Sequence, residues 1–98
     1  LTIEVVEEGD NIIGRRQPGA PIQVPIETAD RSMDRLHCII NVRRNKQGKL
    51  LYTLRDAQSL TGTFLNNELL GDKDRVLIDD GAIVTIGATT FILRTAQE

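Results

Sequence analysis

Hydrophobic positions along the chain alternate with polar ones over short distances and never settle into a helical period. Thr2 to Val6 is β-branched and alternating, and Glu7-Glu8-Gly9-Asp10-Asn11 has turn composition. Ile12-Ile13 begins a second short strand that ends at Gly14. Pro18-Gly19 and Pro21 predict a surface loop from Arg15 to Pro21, because proline cannot supply a ladder N–H. Ile22-Gln23-Val24 alternates and predicts a short strand closed by Pro25. Glu27 to Leu36 is polar and reads as loop.

The two strongest strands are His37 to Val42 and Leu50 to Leu54, joined by the hairpin turn Asn45-Lys46-Gln47-Gly48. Arg55 to Thr61 is a connection. Phe64-Leu65 and Glu68-Leu69-Leu70 flank Asn66-Asn67, a tight hairpin because Asn tolerates positive φ. Gly71 to Asp74 is a loop, and Arg75 to Ile78 pairs briefly before the turn Asp79-Asp80-Gly81. Ile83 to Ile86 and Thr90 to Arg94 form a last hairpin around Gly87-Ala88. Many short strands with frequent turn signals predict one all-β domain, a sandwich or barrel, spanning residues 1–98. The chain starts at Leu1 without a Met, as a domain excised from a longer protein would.

Composition narrows the chemistry. Ninety-eight residues with 40% hydrophobic positions can bury one core without metal or disulfide staples. No apolar run reaches the roughly 18 residues that a membrane-spanning helix needs. The single cysteine, Cys38, cannot form an internal disulfide, which favours a reducing, cytoplasmic setting; with one His it makes no zinc site. Net charge is −2, unevenly spread: from Ile12 to Arg55 nine Lys/Arg face three carboxylates, and from Asp56 the balance reverses. A locally basic face can attract an anion. Nucleic acid is a poor fit, since only Tyr52, Phe64 and Phe91 are available for stacking.

No catalytic constellation stands out. Ser59, Asp34 and His37 are the residue types of a nucleophile-base set, but no Gly-x-Ser-x-Gly elbow is present and His37 opens an apolar strand. Asp79-Asp80 lies in a turn with Gly81 and reads as solvated. Three loops are more informative: Gly14-Arg15-Arg16 after a strand, Asp34-Arg35 in the next loop, and Thr61-Gly62 in a third. Clustered at one end of a sandwich they would offer guanidinium, hydroxyl and backbone N–H donors, the chemistry that holds a phosphate dianion.

The ordered segments Ile13-Gly14-Arg15, Asp34-Arg35-Leu36-His37, Ser59-Leu60-Thr61-Gly62-Thr63-Phe64-Leu65-Asn66 and Asp80 to Gly87 resemble the forkhead-associated (FHA) domain over about Ile12 to Leu93. The resemblance implies an eleven-stranded, mostly antiparallel β-sandwich with ligand loops at one end. It implies a non-catalytic signalling module without cofactor or metal, which reads phosphothreonine in partner proteins. By that similarity Arg15 is the main phosphate ligand and Arg35 a second cation. Leu60 and Thr61 lie in the loop that fixes the peptide backbone, and Gly14, His37 and Gly62 shape the loops. Two positions depart from the family pattern. Asp34 stands where a Ser usually donates to the phosphate, and an ionised carboxylate cannot donate. Thr61 replaces the Asn before Gly62 and lacks an amide. The expectation is a module that binds a protein or peptide partner or packs against neighbouring domains, with a phosphate pocket altered by an Asp34 ion pair to Arg15 or Arg35. Phosphothreonine reading through Arg15 and Arg35 is the alternative.

Overall fold

The computed structural model describes residues 1–95, and among them ten strands and no helix are found. In chain order these are β1 (Thr2–Val5), β2 (Gly9–Arg15), β3 (Val24–Ile26), β4 (Cys38–Arg44), β5 (Leu50–Asp56), β6 (Thr63–Leu65), β7 (Glu68–Leu69), β8 (Val76–Ile78), β9 (Ile83–Ile86) and β10 (Thr89–Thr95). They form two five-stranded sheets, ordered β1-β10-β9-β6-β7 and β3-β2-β4-β5-β8. Pairing is antiparallel except for β1 with β10 and β2 with β3.

Period-two alternation builds the core between the sheets. Cys38, Ile40 and Val42 of β4 point inward beside Tyr52 and Leu54 of β5, while Val84, Ile86, Phe91 and Leu93 face them from the other sheet. Cys38 is buried with no disulfide, and burial raises its thiol pKa above the ordinary value, so the group behaves as a small apolar side chain.

Several sequence expectations need correcting. The second strand is longer than Ile12 to Gly14, running from Gly9 to Arg15, because Gly9 to Ile13 all pair with β4. Pro25 does not close the third strand but sits inside it. β3 is an edge strand, so the missing proline N–H leaves no gap in a two-sided ladder. Ten strands are present among the described residues rather than eleven. The Asn66-Asn67 turn is as expected: both residues have positive φ, 48° and 70°, the requirement of a two-residue type I′ hairpin.

Candidate loop site

The β2–β3, β3–β4 and β5–β6 connections meet at one end of the sandwich, held by backbone and side-chain bonds that cross between them. Arg15 N–H donates to Asp34 O, His37 N–H to Ile13 O, and Ala57 N–H to His37 O. β2 approaches the next loop so closely that a Cβ on Gly14 would lie 2.0 Å from Arg35 O and 2.6 Å from Asp34 O. Only glycine fits there.

His37 is fully buried and is the pin of this end. Its Nδ1 accepts Asp34 N–H at 3.0 Å, so Nδ1 carries no proton and Nε2–H donates to Gly62 O at 2.8 Å. One neutral ring thus ties the β3–β4 loop to the β5–β6 loop. Gly62 is left-handed at φ 88°, and Leu69 Cδ1 lies 2.5 Å from where its Cβ would be.

A carboxylate organises the third loop from below. Asp56 accepts Ser59 N–H at 2.9 Å, Ser59 Oγ–H at 2.5 Å and Thr63 Oγ–H at 2.6 Å, while Ser59 Oγ accepts Gly62 N–H at 2.9 Å. Partial burial raises the Asp56 pKa, but the Ser59 and Thr63 hydrogen bonds outweigh it and hold the group below the ordinary carboxylate value. A second carboxylate, Asp30, accepts Ser32 Oγ–H, Ala88 N–H and Ser32 N–H, which lowers its pKa and docks the β9–β10 turn on the β3–β4 loop.

The ligand candidates are brought together on this frame. Arg15, at the end of β2, is half-buried and its Nε–H donates to Met33 O at 3.0 Å. That bond fixes the guanidinium plane and leaves its terminal nitrogens for other acceptors. Arg35 is exposed on the neighbouring loop. The expected ion pair of Asp34 with Arg15 or Arg35 is absent among the described residues. Instead Asp34 Oδ2 accepts Leu60 N–H at 2.8 Å, because the carboxylate reaches across to the backbone of the third loop. Leu60 itself is 85% exposed, and Thr61 Oγ–H donates to Ser32 O at 2.8 Å. Asp34 and Thr61 therefore each spend hydrogen-bonding capacity inside the protein.

Sequence reasoning missed Met33, which is fully buried although it sits in a polar loop, and whose carbonyl orients Arg15. Its lone apolar side chain among Asp30, Arg31, Ser32 and Asp34 was the available signal. Among the described residues no group of His, Cys, Asp and Glu is arranged to hold a metal ion.

An all-β sandwich with cross-tied loops at one end, presenting guanidinium groups, defines a loop-end recognition module. A family profile for the FHA domain matches residues 11–87, and the chain belongs to the FHA domain family. Solved structures agree. The chain is similar, at 28% identity and a TM-score of 0.71, to an FHA domain solved in a structural and functional analysis of phosphothreonine-dependent FHA domain interactions; the match covers 94% of this chain and 82% of that one. It is similar at 28% identity and TM-score 0.65 to the FhaA FHA domain complexed with the intracellular domain of Rv3910, over 86% of this chain and 78% of that one. The FHA-2 domain of the Mycobacterium tuberculosis ABC transporter Rv1747 matches at 28% identity and TM-score 0.61, over 94% of this chain and 72% of that one. A search of curated proteins gave no match.

Proposed function

We propose that this FHA domain is a non-catalytic protein-interaction module whose loop face engages a partner without depending on phosphothreonine. The observation that carries the reading is the 2.8 Å bond from Leu60 N–H to Asp34 Oδ2. An anionic group internal to the protein occupies a backbone donor on the ligand loop, and it stands where the family pattern has a hydroxyl donor. A phosphate dianion brought beside Asp34 loses one donor and meets a like charge, at a cost of about 1–3 kcal/mol. That corresponds to roughly 5- to 150-fold in affinity. Thr61 adds to this, since its only O–H is committed to Ser32 O.

A specific observation favours the alternative, a phosphothreonine reader. Arg15 is clamped by Met33 O with its terminal nitrogens uncommitted, and Arg35 is exposed on the neighbouring loop, so one oriented cation and one solvated cation are open to an anion. Protein partners are supported in either case by the structural neighbours, one of which is complexed with an intracellular domain. The deciding experiment is calorimetry of an oriented phosphothreonine peptide library against wild type, Asp34→Ser and Arg15→Ala. Binding that appears only in Asp34→Ser supports the proposal. Micromolar binding by wild type, lost in Arg15→Ala, overturns it in favour of the reader.

A further inference from the structure

Among the described residues, β1 is the edge strand left least protected in either sheet. The other edges are shorter or interrupted: β7 has two residues, β8 has three, and β3 carries Pro25. β1 runs for four residues, Thr2–Val5, in unbroken parallel register with β10. Backbone groups alternate in direction along a strand. Ile92 N–H donates to Leu1 O, so Leu1, Ile3 and Val5 turn their N–H and C=O groups towards β10. Thr2 and Glu4 therefore turn theirs away from the sheet, and no turn, loop or side-chain bond reaches these groups among the described residues. The facing sheet closes its own gap: where β3 stops, Gln23 Oε1 caps the outward N–H of Ile12 at 2.8 Å. The β1 edge has no such cap.

Between β1 and β3 the two sheets leave a crevice of about 300 Å³. Val5 and Val24 give it apolar walls, Glu4 and Glu7 give it carboxylates, and no Lys, Arg or His lines it. Surrounding charge does not cancel this. Arg94, next to Glu4 in the ladder, pairs with Asp80 at 3.2 Å, and Arg44 pairs with Glu8 at 3.6 Å. Glu4, Glu7, Glu8 and Asp80 thus outnumber these two arginines, and the region is net negative. Asn11 lines the same crevice and is only 3% exposed. Its Nδ2 is engaged with Glu7 O, Gly9 O and Ile40 O, while its Oδ1 accepts no bond among the described residues.

We propose that the open edge of β1 is a strand-addition site, taking an extended segment of a partner protein in which Lys or Arg alternates with aliphatic residues. The backbone of that segment pairs with Thr2 and Glu4 and continues the β1-β10-β9-β6-β7 sheet by one strand. Its aliphatic residues, on the inner face, cover Val5 and Val24. Its cations, on the outer face, lie beside Glu4, and Asn11 Oδ1 accepts from a donor that enters the crevice. Unpaired backbone groups call for an extended polypeptide, and the carboxylates repel phosphate-bearing polymers and anionic surfaces. A second copy fits less well, since pairing two β1 edges brings the Glu4 carboxylates of both onto one short outer face. The inference rests on neither reading of the loop face. β10 starts beside the loop end, where Ala88 N–H bonds Asp30, whereas Val5 pairs with Thr95 at its other end.

The test uses the whole isotopically labelled chain and a short fluorescein-labelled peptide alternating lysine and valine. Saturable binding should shift the amides of Thr2, Glu4 and Gln23. It should also slow hydrogen exchange at Thr2 and Glu4, which charge attraction without backbone pairing would not do. Glu4→Lys should weaken anisotropy-detected binding at least about tenfold, since attraction becomes repulsion. The fully N-methylated peptide, which has no donor for the Thr2 and Glu4 carbonyls, should lose at least about as much. Arg15→Ala should leave binding unchanged, which separates this site from the loop face. Glu4 is exposed, and the N-methylated peptide keeps the test decisive if Glu4→Lys melts early. No saturable binding, or undiminished binding by Glu4→Lys or by the N-methylated peptide, overturns the proposal. Slow exchange at Thr2 and Glu4 without peptide, in a chain that sediments as a dimer, also overturns it by giving the edge to a second copy.

Discussion

Asp34 and Leu60, 26 residues apart, are joined by a side-chain-to-backbone bond of 2.8 Å that spans two loops. Asp34→Ala should release the Leu60 N–H to solvent. Because Leu60 is exposed, the stability loss should be small, about 1 kcal/mol or less. Hydrogen exchange at Leu60 should accelerate while exchange in β4 and β5 stays unchanged. Unchanged protection at Leu60 would show that the bond does not order the loop.

His37 carries a heavier load. Its ring is fully buried and both nitrogens are used, by Asp34 N–H and Gly62 O. His37→Ala leaves a buried donor and a buried acceptor near a cavity, for an expected loss of about 2–4 kcal/mol. Urea unfolding measures this directly. A loss below half a kilocalorie would mean water replaces the ring at no cost.

Gly14→Ala tests the close approach of β2 to the β3–β4 loop. The added methyl would overlap Arg35 O, and backbone cannot step aside as a flexible side chain can. Destabilisation of about 3 kcal/mol or more is expected. The clash should also move amide resonances from Asp34 to His37. A variant with wild-type stability and spectrum would contradict the packing described.

Asp56 supplies a pH dependence. Its folded pKa lies below the ordinary 3.8, so the stability it contributes is present above that value and is lost as pH falls through the lower, folded one. Protonation removes acceptors for Ser59 and Thr63. Asp56→Asn should therefore be less stable than wild type at neutral pH, by about 1–3 kcal/mol, with the gap narrowing below pH 4. Parallel melting curves from neutral to acid pH check the sign. A gap that widens in acid would remove Asp56 from this role.

The strands were legible wherever alternation was long or a turn was chemically marked. Cys38 to Val42 and Leu50 to Leu54 each place every second residue in the core, and Asn66-Asn67 can only be a primed turn. Pro25 misled because an edge position, invisible in sequence, made proline acceptable in β3. The separated motifs from Gly14 to Gly62 were also sufficient to indicate the family, since each glycine and His37 answers a local steric or hydrogen-bonding demand.

By itself, then, the sequence determined the all-β class, the main hairpins and the identity of the loop residues, because these depend on period-two burial and on backbone preferences of single residues. Tertiary structure decided where the side chains of those residues go. Whether Asp34 pairs with Arg15, with Arg35 or with Leu60 N–H depends on distances of a few ångströms between loops remote in sequence. The same holds for Met33 turning inward to aim Arg15. Such contacts are set by how two sheets stack, and no local pattern along the chain encodes that stacking.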